Sequence, residues 1–232
     1  CPKVWAKANP NLGVSVKEAF LHNECQKAQN LPSYQNSFKR LYLNIKTDSA
    51  QVWMPPELWS TCDGELVDIE DYRGQKCYLG LDLASKQDIS ACAALFPDLN
   101  NLVLMKFWLP SERKEKYNET AWARDGHITL TPGDVFDTEI AEDYIRELNE
   151  VVDMQAVSYD PWGSTQLAMH LTDEGFDMVQ FAQTAKFFNA PLNKLEEWII
   201  AGKINHQANP VLAWMVQNCV IDEDNAEHKK LS

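Results

Sequence analysis

Cys77-Tyr78-Leu79-Gly80-Leu81-Asp82-Leu83 is a short apolar run with a single acid inside it. An apolar run of this length, rich in bulky side chains, reads as a strand. Two more follow: Ile89–Phe96, stopped by Pro97, and Leu102–Leu109, stopped by Pro110. Loops of only a few residues separate the three, which predicts an antiparallel meander. A polar stretch with Trp122 comes next, then a short run at His127–Leu130. From Thr138 to Val152 the period changes, with Ile140, Tyr144, Leu148 and Val151 on one face of an amphipathic helix. Ala156–Tyr159 returns to strand character and ends at Asp160. The pattern then predicts a helix over 164–174, a strand over 178–182, and helices over 191–201 and 210–218.

A hairpin meander followed by β-α-β units gives a mixed central sheet with helices on both faces. That order is characteristic of the RNase H-like α/β superfold. Upstream, Ser15-Val16-Lys17-Glu18 has the form of a capping box and predicts a helix to about Gln29. Pro32 breaks the chain, and Ser33–Lys46 reads as a second helix with Phe38, Leu41 and Ile45 on one face. Pro55-Pro56 opens a short helix carrying Leu58 and Trp59. Residues 61–76 are acidic and turn-rich. The expected organisation is a helical lead-in, 1–72, without a core of its own, and an α/β unit, 73–232.

With 232 residues, 45% of them hydrophobic, the chain can bury a core without disulfide or metal staples. No apolar run approaches the roughly 18 residues of a membrane span. The first residues, CPKVWAKANP, contain no signal-peptide core, and a Cys at position 1 suggests a fragment or processed product. The six cysteines form no CxxC pair and read as reduced, packed thiols. Twenty-one Lys and Arg against 34 Asp and Glu give a net charge of −13. A field of that sign repels nucleic acid, so any such contact needs a local basic patch, a bound metal or a basic partner. The richest basic stretches are Lys39, Arg40 and Lys46, then Arg113, Lys114 and Lys116, and each reads more simply as a solvated face.

Asp82 and Asp160 carry the chemical interest. Each has a plainer role: Asp82 as a strand-end acid capping a turn or meeting a Lys, Asp160 as a turn former before Pro161-Trp162-Gly163. Together they say more, because the expected topology makes their strands neighbours and brings the acids to one edge of the sheet. Two convergent carboxylates with a third nearby can hold two Mg²⁺ or Mn²⁺ ions about 4 Å apart for phosphodiester hydrolysis. Hard oxygen ligands suit those ions. Candidates for the third are Asp224 and Asp222, with Asp88 more simply a hairpin-turn residue. His206, before Asn209-Pro210, reads as ordering a helix entry, and Trp108, Trp122, Trp162, Trp198 and Trp214 as packing residues. The chain has no GxxxxGK[ST], hence no P-loop.

A series of segments carries a resemblance: WAKANPNLGVSVKEAF (5–20), FKRLYLNIK (38–46), QVWMPPELW (51–59), CYLGLDLASKQDISA (77–91), MKFWLP (105–110), VSYDPW (157–162) and APLNKLEEWIIAGKINHQANPVLAWMVQN (190–218). In this order they resemble the C-terminal nuclease domain of the large terminase subunit of tailed bacteriophages, over nearly the whole chain. The resemblance implies a metal-dependent endonuclease that cuts concatemeric double-stranded phage DNA in the host cytoplasm. It also implies an ATPase preceding WAKANPNLG, a terminase small subunit and a portal as partners, and a ring oligomer only in the full motor. Asp82 matches the family's first acid and Asp160 its second. The last acid usually comes from a C-terminal helix, which this chain stops short of; either Asp224 fills the role or the ligand lies beyond residue 232. Two other readings stand beside this one. A nucleotide-binding domain of the actin and sugar-kinase type would want glycines beside the strand acid, and Asp82-Leu83-Ala84-Ser85 has none. A non-catalytic docking module of the packaging motor would suit the charge of −13.

Overall fold

The computed structural model describes residues 2–30, 32–45, 53–65, 67–84, 88–113, 119–223 and 228–231. Six strands form one mixed sheet in the order β4-β3-β2-β1-β5-β6. They are β1 (Lys76–Asp82), β2 (Ser90–Phe96), β3 (Leu102–Pro110), β4 (Thr129–Thr131), β5 (Asp153–Tyr159) and β6 (Met178–Gln180). β1, β2 and β3 are the antiparallel meander expected from the apolar runs. β5 lies parallel to β1, β6 parallel to β5, and β4 parallel to β3. This is the RNase H-like α/β arrangement.

Period-two alternation decides which side of the sheet is covered. Cys77, Leu79 and Leu81 of β1, Cys92, Ala94 and Phe96 of β2, and Val157 and Tyr159 of β5 point to one face. There they meet Ala141, Ile145 and Leu148 of α6 (Thr138–Val151) and Leu167, Ala168 and Leu171 of α7 (Pro161–Asp173). On the other face Phe107 and Leu109 pack with Val211 of α9 (Pro210–Asn218) and with Trp122 of α5 (Glu119–Arg124). A third cluster joins Leu192 and Ile199 of α8 (Ala185–Ile200) to Val216, and to Trp53, Met54, Trp59 and Cys62 around α4 (Pro56–Trp59). Helices therefore cover both faces, but they leave the second face of β1 open: Tyr78 is 43% exposed, Gly80 half-buried and Asp82 exposed.

The lead-in holds α1 (Pro2–Ala8), α2 (Glu18–Asn30) and α3 (Pro32–Leu43). α8 begins six residues earlier than the proline suggests. Pro191 lies inside it, not at its first position; the turns before it are held by Phe188 against Phe181 and by Asn189, whose Oδ1 accepts from the Lys229 N–H, at the cost of one backbone hydrogen bond. After α9 the chain forms a hairpin, β7 (Ile221–Glu223) with β8 (Lys229–Leu231), packed on α8. No helix among the described residues is long and apolar enough to cross a membrane. Cys25, Cys62, Cys77, Cys92 and Cys219 are free thiols. Burial pushes Cys77 up to about 12 and raises Cys92 as well, so both are inert at neutral pH.

Candidate functional site

Parallel pairing sets the two acids side by side. Leu79 faces Val157, Gly80 faces Ser158 and Leu81 faces Tyr159 across β1 and β5. One residue further, Asp82 comes opposite Asp160. Alternation puts both on the face turned away from the α6–α7 core. Asp82 is the last residue of β1, not an acid inside a buried strand, so its carboxylate needs no buried partner. Asp160 is half-buried and is the N-cap of α7: its Oδ1 accepts a hydrogen bond from the Trp162 N–H at 3.1 Å.

Both acids line one cleft of about 300 Å³. Small residues make its floor, Gly80 on β1, Ala91 and Ala93 on β2 and Ser158 on β5. Phe181 and Phe188, an edge-to-face pair at 5.1 Å, form one wall. Gln183, following β6, completes the lining beside Asp82. Water reaches the Asp82 carboxylate from the cleft, yet protein atoms crowd it from behind. That desolvation raises its pKa, the polar Gln183 side chain opposes the rise, and the charges of Asp160 and Asp88 add to it. Among the described residues neither Asp82 nor Asp160 has an ion-pair partner, and the cleft lining carries no Lys or Arg. Two hard carboxylates that repel each other without a counter-charge are a donor set that fits a divalent cation. Among the described residues no three His, Cys, Asp or Glu side chains are gathered to hold one.

Asp224 lies outside the described residues. Asp222 is exposed on β7 opposite Lys230 and is not part of the cleft lining. Lys39 is half-buried and Arg40 exposed on α3, whereas Lys46, Lys114 and Lys116 lie outside the described residues. Gln183 escaped the sequence reading because a lone Gln in a loop has no pattern to mark it. Trp162 was misread: it is 82% exposed, while Trp108 and Trp122 are buried and Trp198 and Trp214 are packed against the core clusters.

His206 sits away from the acids, 1% exposed and stacked on Trp59 with ring centroids 3.9 Å apart. Its Nε2 lies 3.0 Å from the Trp59 carbonyl, which can only accept, so Nε2 carries the proton. It is a structural pillar. His206→Ala is expected to cost roughly 2–4 kcal/mol of stability, as large-to-small core changes do. Urea denaturation measures the loss.

The family model described as terminase large subunit, endonuclease domain, matches residues 2–232. Protein YmfN of Escherichia coli (strain K12) is 31% identical over 235 residues, covering 94% of this chain and 52% of that protein. The large terminase subunit of Enterobacteria phage HK97 is 28% identical over 237 residues, covering 98% of this chain and 46% of that one. The crystal structure of the HK97 large terminase superposes with a TM-score of 0.69 at 27% identity, covering 100% of this chain and 50% of that one. The chain thus spans about half the length of the curated relatives it matches. The large terminase nuclease of thermophilic phage G20c, solved with bound magnesium, shares the fold at a TM-score of 0.50 and 13% identity, covering 75% of this chain and 86% of that one.

Proposed function

The chain belongs to the family of terminase large subunit endonuclease domains, and on that premise we propose that it hydrolyses phosphodiester bonds of double-stranded phage DNA with divalent metal held by Asp82 and Asp160. The observation that carries this reading is the pairing of two uncompensated carboxylates in one cleft, at the ends of adjacent parallel strands. The magnesium bound by the G20c nuclease supports the same choice of ion. Asp224 is the proposed third carboxylate, with Asp222 as the alternative, and two ions are the proposed complement. When bound, Mg²⁺ or Mn²⁺ supplies Lewis-acid polarisation of a phosphate and hydroxide at neutral pH.

The protein's own residues supply charge and position. Asp82 and Asp160 concentrate negative charge at the open face of the sheet, which would draw a divalent cation there and would repel a phosphate in its absence. Gln183 lines the cleft beside Asp82 and favours its charged form. The Trp162 N–H fixes one oxygen of Asp160, so its orientation is set before any ion arrives. The small floor residues let a bulky backbone approach the acids. By the same family premise the proposed setting is the packaging motor in the host cytoplasm, with the lead-in, 1–72, following an ATPase and 73–232 forming the nuclease unit. Small subunit and portal are the proposed partners, in a ring formed only by the full motor.

The direct test is plasmid relaxation and linearisation by the purified chain. Cleavage should require Mn²⁺ or Mg²⁺ and cease with EDTA. Cutting that persists undiminished in EDTA, or its absence at every metal concentration, removes the reading.

A further inference from the structure

We propose that Trp162 is a DNA-contacting residue that packs its indole against a sugar of the strand lying at the acid pair. The inference rests on the nuclease reading of the cleft. Trp162 is 82% exposed, where the other tryptophans of the α/β unit are buried or packed. Its exposure is built into the backbone. Pro161 precedes it, Trp162 itself is extended (φ −74°, ψ 107°), and Gly163 follows in the left-handed region at φ 86°. An ordinary helical first turn would lay residue 162 along α7. This kink turns it outward, and Gly163 is the residue that tolerates the kink without strain.

The same loop ties the backbone of residue 162 to the acid pair. The Trp162 backbone N–H donates to Asp160 Oδ1 at 3.1 Å, so the backbone that carries the indole is fixed beside the carboxylate. Placement beside Asp160, at the cleft where the proposed phosphodiester substrate lies, is what makes nucleic acid the occupant. The chain carries a net charge of −13 and the cleft lining presents two carboxylates with no Lys or Arg among the described residues. A polyanion held there gains little from ion pairs with the cleft walls. Packing of an aromatic ring on a sugar supplies affinity that charge cannot, and it carries no sequence preference.

Salt dependence separates the two kinds of contact. Ion pairs with phosphates set the slope of log K against log salt, while packing on a sugar shifts the line without tilting it. Binding of a labelled 20-base-pair duplex by the whole chain, in Ca²⁺ and over a series of salt concentrations, reads both. Trp162→Ala should weaken binding roughly tenfold at every salt concentration with the slope unchanged, and Trp162→Phe should restore most of it. Mn²⁺ affinity, followed by electron paramagnetic resonance without DNA, should not move. In cleavage the loss should fall on KM and leave kcat close to wild type. A Trp162→Ala chain that binds duplex as tightly as wild type overturns the inference, as does a wild-type chain that binds no duplex, or a variant whose defect is a changed slope. The nuclease reading fails separately: it falls if cleavage survives EDTA or loss of Asp82, whatever Trp162 does to binding.

Discussion

Asp82→Asn is expected to lower Mn²⁺-dependent cleavage by roughly 10³-fold, the scale of losing a group that stabilises charge at the reacting centre, while making the metal-free protein more stable. Asparagine keeps the shape and one oxygen but removes the charge. The charge is what holds a cation, and it is also what the metal-free fold tolerates poorly. Crowding by protein atoms, then Asp160 and Asp88, raise the Asp82 pKa above its ordinary value. The sign follows from linkage. A raised folded-state pKa means the native state holds this proton when the unfolded chain has already released it. The contribution to stability is fully present below the unfolded value, about 3.9 for Asp, and is lost as pH rises through the folded value. At pH 7 the wild type therefore carries a destabilising charge that the Asn variant lacks. Thermal melts in EDTA should place the variant above wild type at neutral pH, with the gap closing as pH falls toward 4. Saturating Mn²⁺ should reverse the order. A ligand at a hundred times its Kd stabilises by about 2.7 kcal/mol, and only the wild type keeps the full site. Equal cleavage by the two proteins would exclude Asp82 from the chemistry, and equal melts across the pH range would contradict the strain assigned to it.

Much of this site is legible in the sequence, for reasons that can be named. β1, β2 and β3 announced themselves because they are apolar runs, two of them stopped by prolines. α6 was legible because Ile140, Tyr144 and Leu148 repeat at helical spacing. Two aspartates at the ends of strands that a β-α-β crossover makes adjacent then had to meet. What stayed hidden depends on distant contacts. The start of α8 is set by contacts of Phe188 with Phe181 and of Asn189 with Lys229, against the local message of Pro191. Gln183 matters only because β6 ends where β1 does. Trp162 looked like a core residue by type, and only the backbone turn at Gly163 sends it outward. The helix α5 lies in a polar stretch whose one strong apolar residue, Trp122, is held by Trp214 at 5.6 Å. Nothing local marks such a segment as structured.

The lead-in also holds a feature that its sequence conceals. Trp53 is 2% exposed and Met54 fully buried, and with Trp59 and Cys62 they complete the cluster formed by Leu192, Ile199, Ile204, Val216 and Ile221. The strap is fastened by hydrogen bonds as well. The Trp53 indole N–H donates to Glu196 Oε1 at 2.8 Å, its backbone N–H to the Cys219 carbonyl at 3.0 Å, and His206 bonds the Trp59 carbonyl. Trp53→Ala is accordingly expected to cost about 3–5 kcal/mol, the usual range for removing a buried tryptophan. Against a typical total of about 5–15 kcal/mol, that takes a large share of the fold's stability. Trp53→Phe keeps most of the buried area and gives up the Glu196 bond, for a loss of about 1–2 kcal/mol. Urea denaturation of the three proteins measures the series. A chain cut back to residues 73–232 removes the whole strap and uncovers the apolar faces of α8 and α9, so it should aggregate or lose its cooperative transition even though every strand of the sheet is retained. Should that shortened chain stay monomeric and unfold in a single sharp step at the wild-type midpoint, the strap contributes nothing to stability, and the cluster around Trp53 is packing that the sheet does not need.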